Sequence, residues 1–194
     1  MFLRVSSLRS CLQSSASRPA LFQIGDDATP PRYRPARILT PMETAKDTPV
    51  ELLLVEDNPE DVERALKALR EHRFGQNACV ARDGAEALDF LFCRRNYVTR
   101  WIENRPRVVL LDLKLPLVDG IEVLRQVKSD RKMRRVPVVI LTSSGRKEDM
   151  KACYELGANS YIVKPVAYEP FSRAIELLGS YWLRLNELPW ALQP

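Results

Sequence analysis

Four short apolar runs in this chain each stop at residues able to do chemistry. "VELLLV" (50–55) is followed by Glu56-Asp57, and "RVVLL" (107–111) by Asp112. "VPVVIL" (136–141) runs into Thr142-Ser143-Ser144, and "SYIVK" (160–164) ends in Lys164, with Pro165 next. A carboxylate at the end of a run built for the interior is costly unless something compensates it. Converging carboxylates repel one another unless a cation joins them, and an all-oxygen set at a strand edge favours Mg2+. Such an ion keeps positions open for phosphate oxygens and neutralises the charge that builds up in phosphoryl transfer. Asp112 then suits a carboxylate nucleophile that forms an aspartyl-phosphate. Lys164 suits pairing with a phosphoryl oxygen, and the Thr142 hydroxyl suits donation to another. Pro165 fixes the turn that aims Lys164 inward, a place for a cis bond.

Each of these residues alone has a plainer reading. An Asp after a strand commonly caps a helix, and Glu56-Asp57 before Asn58-Pro59 is also a helix start. Thr142 or Ser143 would cap a following helix, and Lys164 would be surface charge. Their joint occurrence, each directly after its own run, argues against coincidence. His72, the one histidine, reads as an exposed helix residue rather than a phosphodonor. Cys11, Cys79, Cys93 and Cys153 form no closely spaced pair, which argues against zinc. Cys79 and Cys153 read as reduced core thiols, in keeping with a cytoplasmic protein.

Five apolar runs must position these groups: the four above and "NACVA" (77–81). Amphipathic segments separate them. "PEDVERALKALRE" places Val62, Leu66 and Leu69 on one face, and "GAEALDFLF" and "DGIEVLRQVKSD" have the same helical spacing. "GRKEDMKACYELGAN" reaches a helix stop at Gly157, and "YEPFSRAIELLGSYWLRLNEL" is the longest helix expected. Continuous apolar strands alternating with helices predict an α/β fold: a doubly wound, five-stranded parallel sheet with helices on both faces. In that architecture chemistry sits outside the carboxyl ends of the strands, where the four endings collect.

The chain has 194 residues and a net charge of +5, of which residues 1–48 supply seven Lys/Arg against four Asp/Glu. The excess is mild and forms no long basic run, so nothing directs the chain to nucleic acid. No apolar run approaches the roughly 18 residues of a membrane span. Residues 1–48 carry early arginines and serines, with no acid before Asp26, and then a proline-rich stretch. The start superficially matches a transit peptide, but the segment is read as a dispensable, disordered tail, and residues 1–41 as a possible overlong start. The expected domain is 49–188, followed by a short tail, 189–194.

"LLLVEDNPED", "VLLDLKLPLVDGIEVL", "PVVILTSS" and "ANSYIVKPV" resemble the motifs of response-regulator receiver domains, the phosphoacceptor half of two-component signalling. The resemblance spans roughly residues 50–185 and implies a flavodoxin-like fold. It implies that Glu56 and Asp57 are the acidic metal pair and Asp112 the phosphorylation site. Thr142 becomes the switch hydroxyl, Tyr161 the switch aromatic and Lys164 the lysine, and the Lys114 backbone carbonyl completes the Mg2+ shell. "DFLFCRRNY", the long insertion after it and "LGSYWLRLNELP" resemble the small regulators that partner bacterial and cyanobacterial phytochrome histidine kinases. Lys114 is a departure: it is basic and lies two residues after Asp112, so the lifetime of an aspartyl-phosphate does not carry over. A haloacid-dehalogenase-type phosphatase is the alternative, weakened because Lys114 stands where that chemistry needs a second Asp. No output segment follows residue 188, so the expectation is a signalling protein rather than a turnover enzyme, acting through protein contacts.

The last helix predicts two apolar stripes. Phe171, Ile175, Leu178, Trp182 and Leu185 form one, and Ala174, Leu177, Tyr181 and Leu188 a second. A helix covering a sheet needs one, so Leu177, Tyr181, Trp182 and Leu185 are the expected interface of a homodimer.

Overall fold

The computed structural model describes residues 37–38 and 49–188. All five expected strands form: β2 (Leu52–Val55), β3 (Asn77–Ala81), β4 (Val108–Leu111), β5 (Val138–Thr142) and β6 (Ser160–Val163). Each pairs in parallel with its neighbours. A two-residue strand, β1 (Arg37–Ile38), adds to the outer edge of β3, so the order is β1-β3-β2-β4-β5-β6. The five-stranded expectation therefore holds for the body of the sheet and gains one short edge strand. That strand lies inside the segment read as a tail. The rest of residues 1–48, and 189–194, lie outside the described residues.

Alternation along the strands sorts the core into two layers. Leu52 and Leu54, Val108 and Leu110, and Val139 and Leu141 face one side. They pack against Val62, Ala65, Leu66 and Leu69 of α1 (Pro59–Glu71) and Phe171, Ile175 and Leu178 of α5 (Tyr168–Gly179). Leu53 and Val55, Val109 and Leu111, and Val138 and Ile140 face the other side. There they meet α2 (Gly84–Leu91) and α3 (Gly120–Ser129) and the buried Cys153 of α4 (Lys147–Glu155). Strands covered on both faces have no polar side to show, which is why the sequence runs are continuous. Burial pushes the Cys79 thiol up to about 12 and the Cys153 thiol to about 11, so both stay protonated.

Helix starts follow local chemistry. Asn58 accepts from the N–H groups of Glu60 and Asp61, Asp83 from Glu86, and Asp119 from Glu122. Gly157, at φ +92°, follows the end of α4. The insertion between α2 and β4 is held by Tyr97, whose hydroxyl donates to Glu86, and by the buried Arg100. The guanidinium of Arg100 lies over the Phe90 ring and donates to the carbonyls of Phe90 and Asn104.

The longest expected helix is two pieces. After Gly179 the chain widens into a π-helical segment, Ser180–Leu185, closed by the Asn186 N–H donating to the Tyr181 carbonyl at 2.7 Å. The stripe assignments change accordingly. Trp182 is half-buried and packs on the α1/α5 layer, whereas Leu185, expected on the core stripe, is 72% exposed. Leu188, expected on the outer stripe, is buried, near the point where Arg107 donates to the Asn186 carbonyl. Among the described residues no helix is long and apolar enough to cross a membrane.

Candidate functional site

Register brings the chemistry together. Val55 pairs with Leu111, Leu111 with Ile140, and Thr142 with Val163. Glu56, Asp112, Thr142 and Lys164 therefore leave the sheet side by side at its carboxyl edge.

The Lys164 ammonium is the centre of the arrangement. It donates to Glu56 Oε2 at 2.5 Å, to Asp112 Oδ2 at 2.7 Å and to Asp61 Oδ2 at 2.9 Å. Its side chain is 6% exposed, and those of Glu56 and Asp112 are as well covered. Burial pulls the Lys164 pKa down, but the bonds to Asp112, Glu56 and Asp61 outweigh it, and the ammonium is held well above its ordinary range. Burial dominates at Glu56 and raises its pKa to about 6, against the pull of Lys164. The other oxygen of Asp112 accepts from the N–H of Leu113 at 2.6 Å and of Lys114 at 3.2 Å, which orients the carboxylate.

Asp57 sits at the exposed rim and makes no hydrogen bond or ion pair among the described residues. No three His, Cys, Asp or Glu side chains there are assembled into a ready metal cage. The carboxylates close instead on the lysine ammonium.

Thr142 is fully buried; its carbonyl accepts the Lys164 N–H at 2.7 Å and its hydroxyl accepts the Ser144 N–H at 3.3 Å. The Tyr161 hydroxyl donates to the Ser144 carbonyl at 3.0 Å, and the Ser144 hydroxyl donates to Asp149 in the first turn of α4. Thr142 and Tyr161 thus share the β5–α4 loop, although neither is bonded to Asp112. Lys114 has an exposed side chain. The sequence reading missed three contributors: Asp61, Arg64 and Ser144. Asp61 had a signal, an acid in the first turn of a helix that starts beside the acidic pair. Among the described residues there is no cis peptide bond, so the one expected before Pro165 is absent. Arg64 holds that turn, donating to the carbonyls of Pro165 at 3.2 Å and Val166 at 3.1 Å.

Residues 52–176 match the family model of the response regulator receiver domain. The chain belongs to that family. As a receiver it is 35% identical to response regulator Rcp1 of Synechocystis sp. over 152 residues, covering 77% of this chain and all of that protein. The crystal structure of the Mn(2+)-bound form of Rcp1 superposes with a TM-score of 0.67, covering 73% of this chain and 99% of that one. The phosphorylated cyanobacterial phytochrome response regulator RcpA gives 0.68 at 34% identity, with 73% and 99% covered. The bacteriophytochrome response regulator AtBRR gives 0.58 at 49% identity, with 72% and 99% covered. This receiver is thus a two-component response regulator homologous to phytochrome regulators, and its family works in signalling rather than turnover catalysis. The haloacid-dehalogenase alternative has no support from these likenesses.

Proposed function

We propose that Asp112 accepts a phosphoryl group from the phosphohistidine of a phytochrome-type histidine kinase. An Asp112 carboxylate oxygen attacks phosphorus, the P–N bond breaks, and its electron pair returns to the imidazole. The observation that supports this best is the position of Asp112 at the end of a buried strand, 2.7 Å from the Lys164 ammonium with Glu56 beside it. Lys164 exchanges its Asp112 contact for a phosphoryl oxygen. Thr142 turns its hydroxyl toward another, and Tyr161 follows into the space it leaves.

The donor set fits Mg2+: the partnerless Asp57, the carboxylates of Glu56 and Asp112, and the Lys114 carbonyl are all oxygen. When bound, the ion supplies charge neutralisation to the phosphoryl oxygens. Metal-bound relatives, the Mn(2+)-bound form of Rcp1 among them, support the same choice.

Output in this reading passes through protein contacts in the cytoplasm, and the phosphoryl group is lost by slow attack of water. Leu177, Tyr181 and Leu185, exposed by 58%, 51% and 72%, are the surface of a homodimer. Trp182 stands behind that surface rather than in it. Incubation with acetyl phosphate and Mg2+, followed by intact mass, tests the chemistry. A hydroxylamine-labile gain of about 80 Da, one phosphoryl group, is expected. No gain, or a gain retained by Asp112→Asn, overturns the assignment.

A further inference from the structure

We infer that Asp61 is a positioning residue for Lys164, and that one turn of α1 grips the lysine by both its side chain and its main chain. The inference rests on the reading of Asp112 as the phosphoacceptor. Three observations carry it.

Asp61 Oδ2 takes one of the three bonds that the ammonium makes, at 2.9 Å. Asp61 Oδ1 accepts from Arg64 Nη1 at 3.2 Å. Arg64 Nη2 then donates to the carbonyls of Pro165 and Val166, the two residues that follow Lys164. The guanidinium also lies 4.6 Å from the centroid of the Phe171 ring, which is buried, so it is placed from both sides. Asp61 and Arg64 are three residues apart on one helix face. The β6–α5 loop is thereby fastened at the carbonyls directly after the lysine, while the lysine's tip is fastened to the same carboxylate.

The three carboxylates around Lys164 differ in what the chemistry asks of them. Glu56 and Asp112 are the groups that a divalent ion and a phosphoryl group require, and both must loosen their hold on the ammonium. Asp61 is asked for by neither. It is the anion that stays on Lys164 throughout, so the ammonium changes partners at two of its three protons while remaining in the pocket. A lysine without that third anchor has four rotatable bonds and open solvent nearby. It would fall back onto Glu56 and Asp112, the groups it must release.

The test uses the full chain and the variants Asp61→Ala and Asp61→Asn, the second keeping the side-chain volume. Two readouts are taken, with thermal melts to confirm folding. The first is hydrogen exchange of the Lys164 ammonium by 1H–15N NMR in the unphosphorylated, Mg2+-free protein, its signal assigned by its absence in Lys164→Arg. The second is the rate of phosphoryl uptake from acetyl phosphate with Mg2+. Both variants are expected to exchange about tenfold faster and to take up phosphate about tenfold more slowly, as one charge-assisted hydrogen bond is lost. Wild-type values in both readouts overturn the inference and leave the phosphoacceptor reading standing. Slower uptake with unchanged exchange also overturns it, since Asp61 would then act on something other than Lys164. Faster exchange with unchanged uptake removes the positioning role. If the wild-type protein takes up no phosphoryl group, the reading of Asp112 falls, and the exchange rates alone decide whether Asp61 anchors the lysine.

Discussion

Glu56 carries a charge that its surroundings resist. With its pKa raised by burial from 4.5 to about 6, the folded chain protonates Glu56 at a higher pH than the unfolded chain does. The sign is the reverse of a salt-bridged acid: in the absence of metal, this group adds stability as pH falls from about 6 toward 4.5. Mg2+ needs the carboxylate, so its affinity is expected to fall by about tenfold per pH unit below that pKa, as each ion bound displaces a proton. Calorimetric Mg2+ titration between pH 5 and 8 measures this, and a flat profile would remove Glu56 from the ligand set. At Asp112 the expectation is simpler. Asp112→Asn keeps the shape and the acceptor for the Leu113 N–H, but an amide oxygen is not a nucleophile at phosphorus, so uptake falls below about 1% of the wild-type rate. Its melting temperature should stay near that of the wild type.

At the scale of elements, the end of β4 and the start of α3 are built against each other. A Cβ added at Gly120 would lie 2.0 Å from the Asp112 carbonyl oxygen and 2.7 Å from the Leu113 Cα, both backbone atoms that cannot swing aside. Gly120→Ala is therefore expected to cost about 2–3 kcal/mol in urea unfolding and to slow phosphoryl uptake by moving Asp112. Gly145→Ala, with nothing within 4 Å of its added carbon, is the neutral comparison. The β5–α4 loop is the element that couples Thr142 to Tyr161 through Ser144. Thr142→Ala should still take up a phosphoryl group yet lose the NMR shift response over residues 145–185, because the hydroxyl that moves is gone. Strands and helix starts were legible because their signals are local: apolar runs covered on both faces, and Asn58, Asp83 and Asp119 each capping the helix that follows. Glu56, Asp112, Thr142 and Lys164 were legible for the same reason, each standing directly after a strand. Asp61 and Arg64 were not, because their role depends on where α1 meets a loop about a hundred residues away. The edge strand Arg37–Ile38 has two residues and no periodicity, so only its pairing with β3 reveals it.

For the whole molecule, the open question is what covers Leu177, Tyr181 and Leu185. Burying large apolar side chains contributes on the order of 1.5–3 kcal/mol each, enough for three of them to support a self-complementary pairing across a two-fold axis. The absolute mass in solution of the full chain at tens of micromolar is expected to be that of a dimer. Tyr181→Glu and Leu185→Glu should return folded monomers, and a wild-type monomer or dimeric variants would end the proposal. Which side chains form that surface is decided by the wide turn after Gly179. Each residue in an α-helix turns the chain by about 100°, and the π-helical segment holds more residues per turn than an α-helix does. Deleting one residue between Ser180 and Leu185 would let the segment return to α-helical pitch and carry everything after it partway around the axis. Leu185 would then swing toward the core. A one-residue deletion here would thus edit the recognition surface without replacing any of its exposed side chains, so related chains could change partners by a shift in length as readily as by substitution.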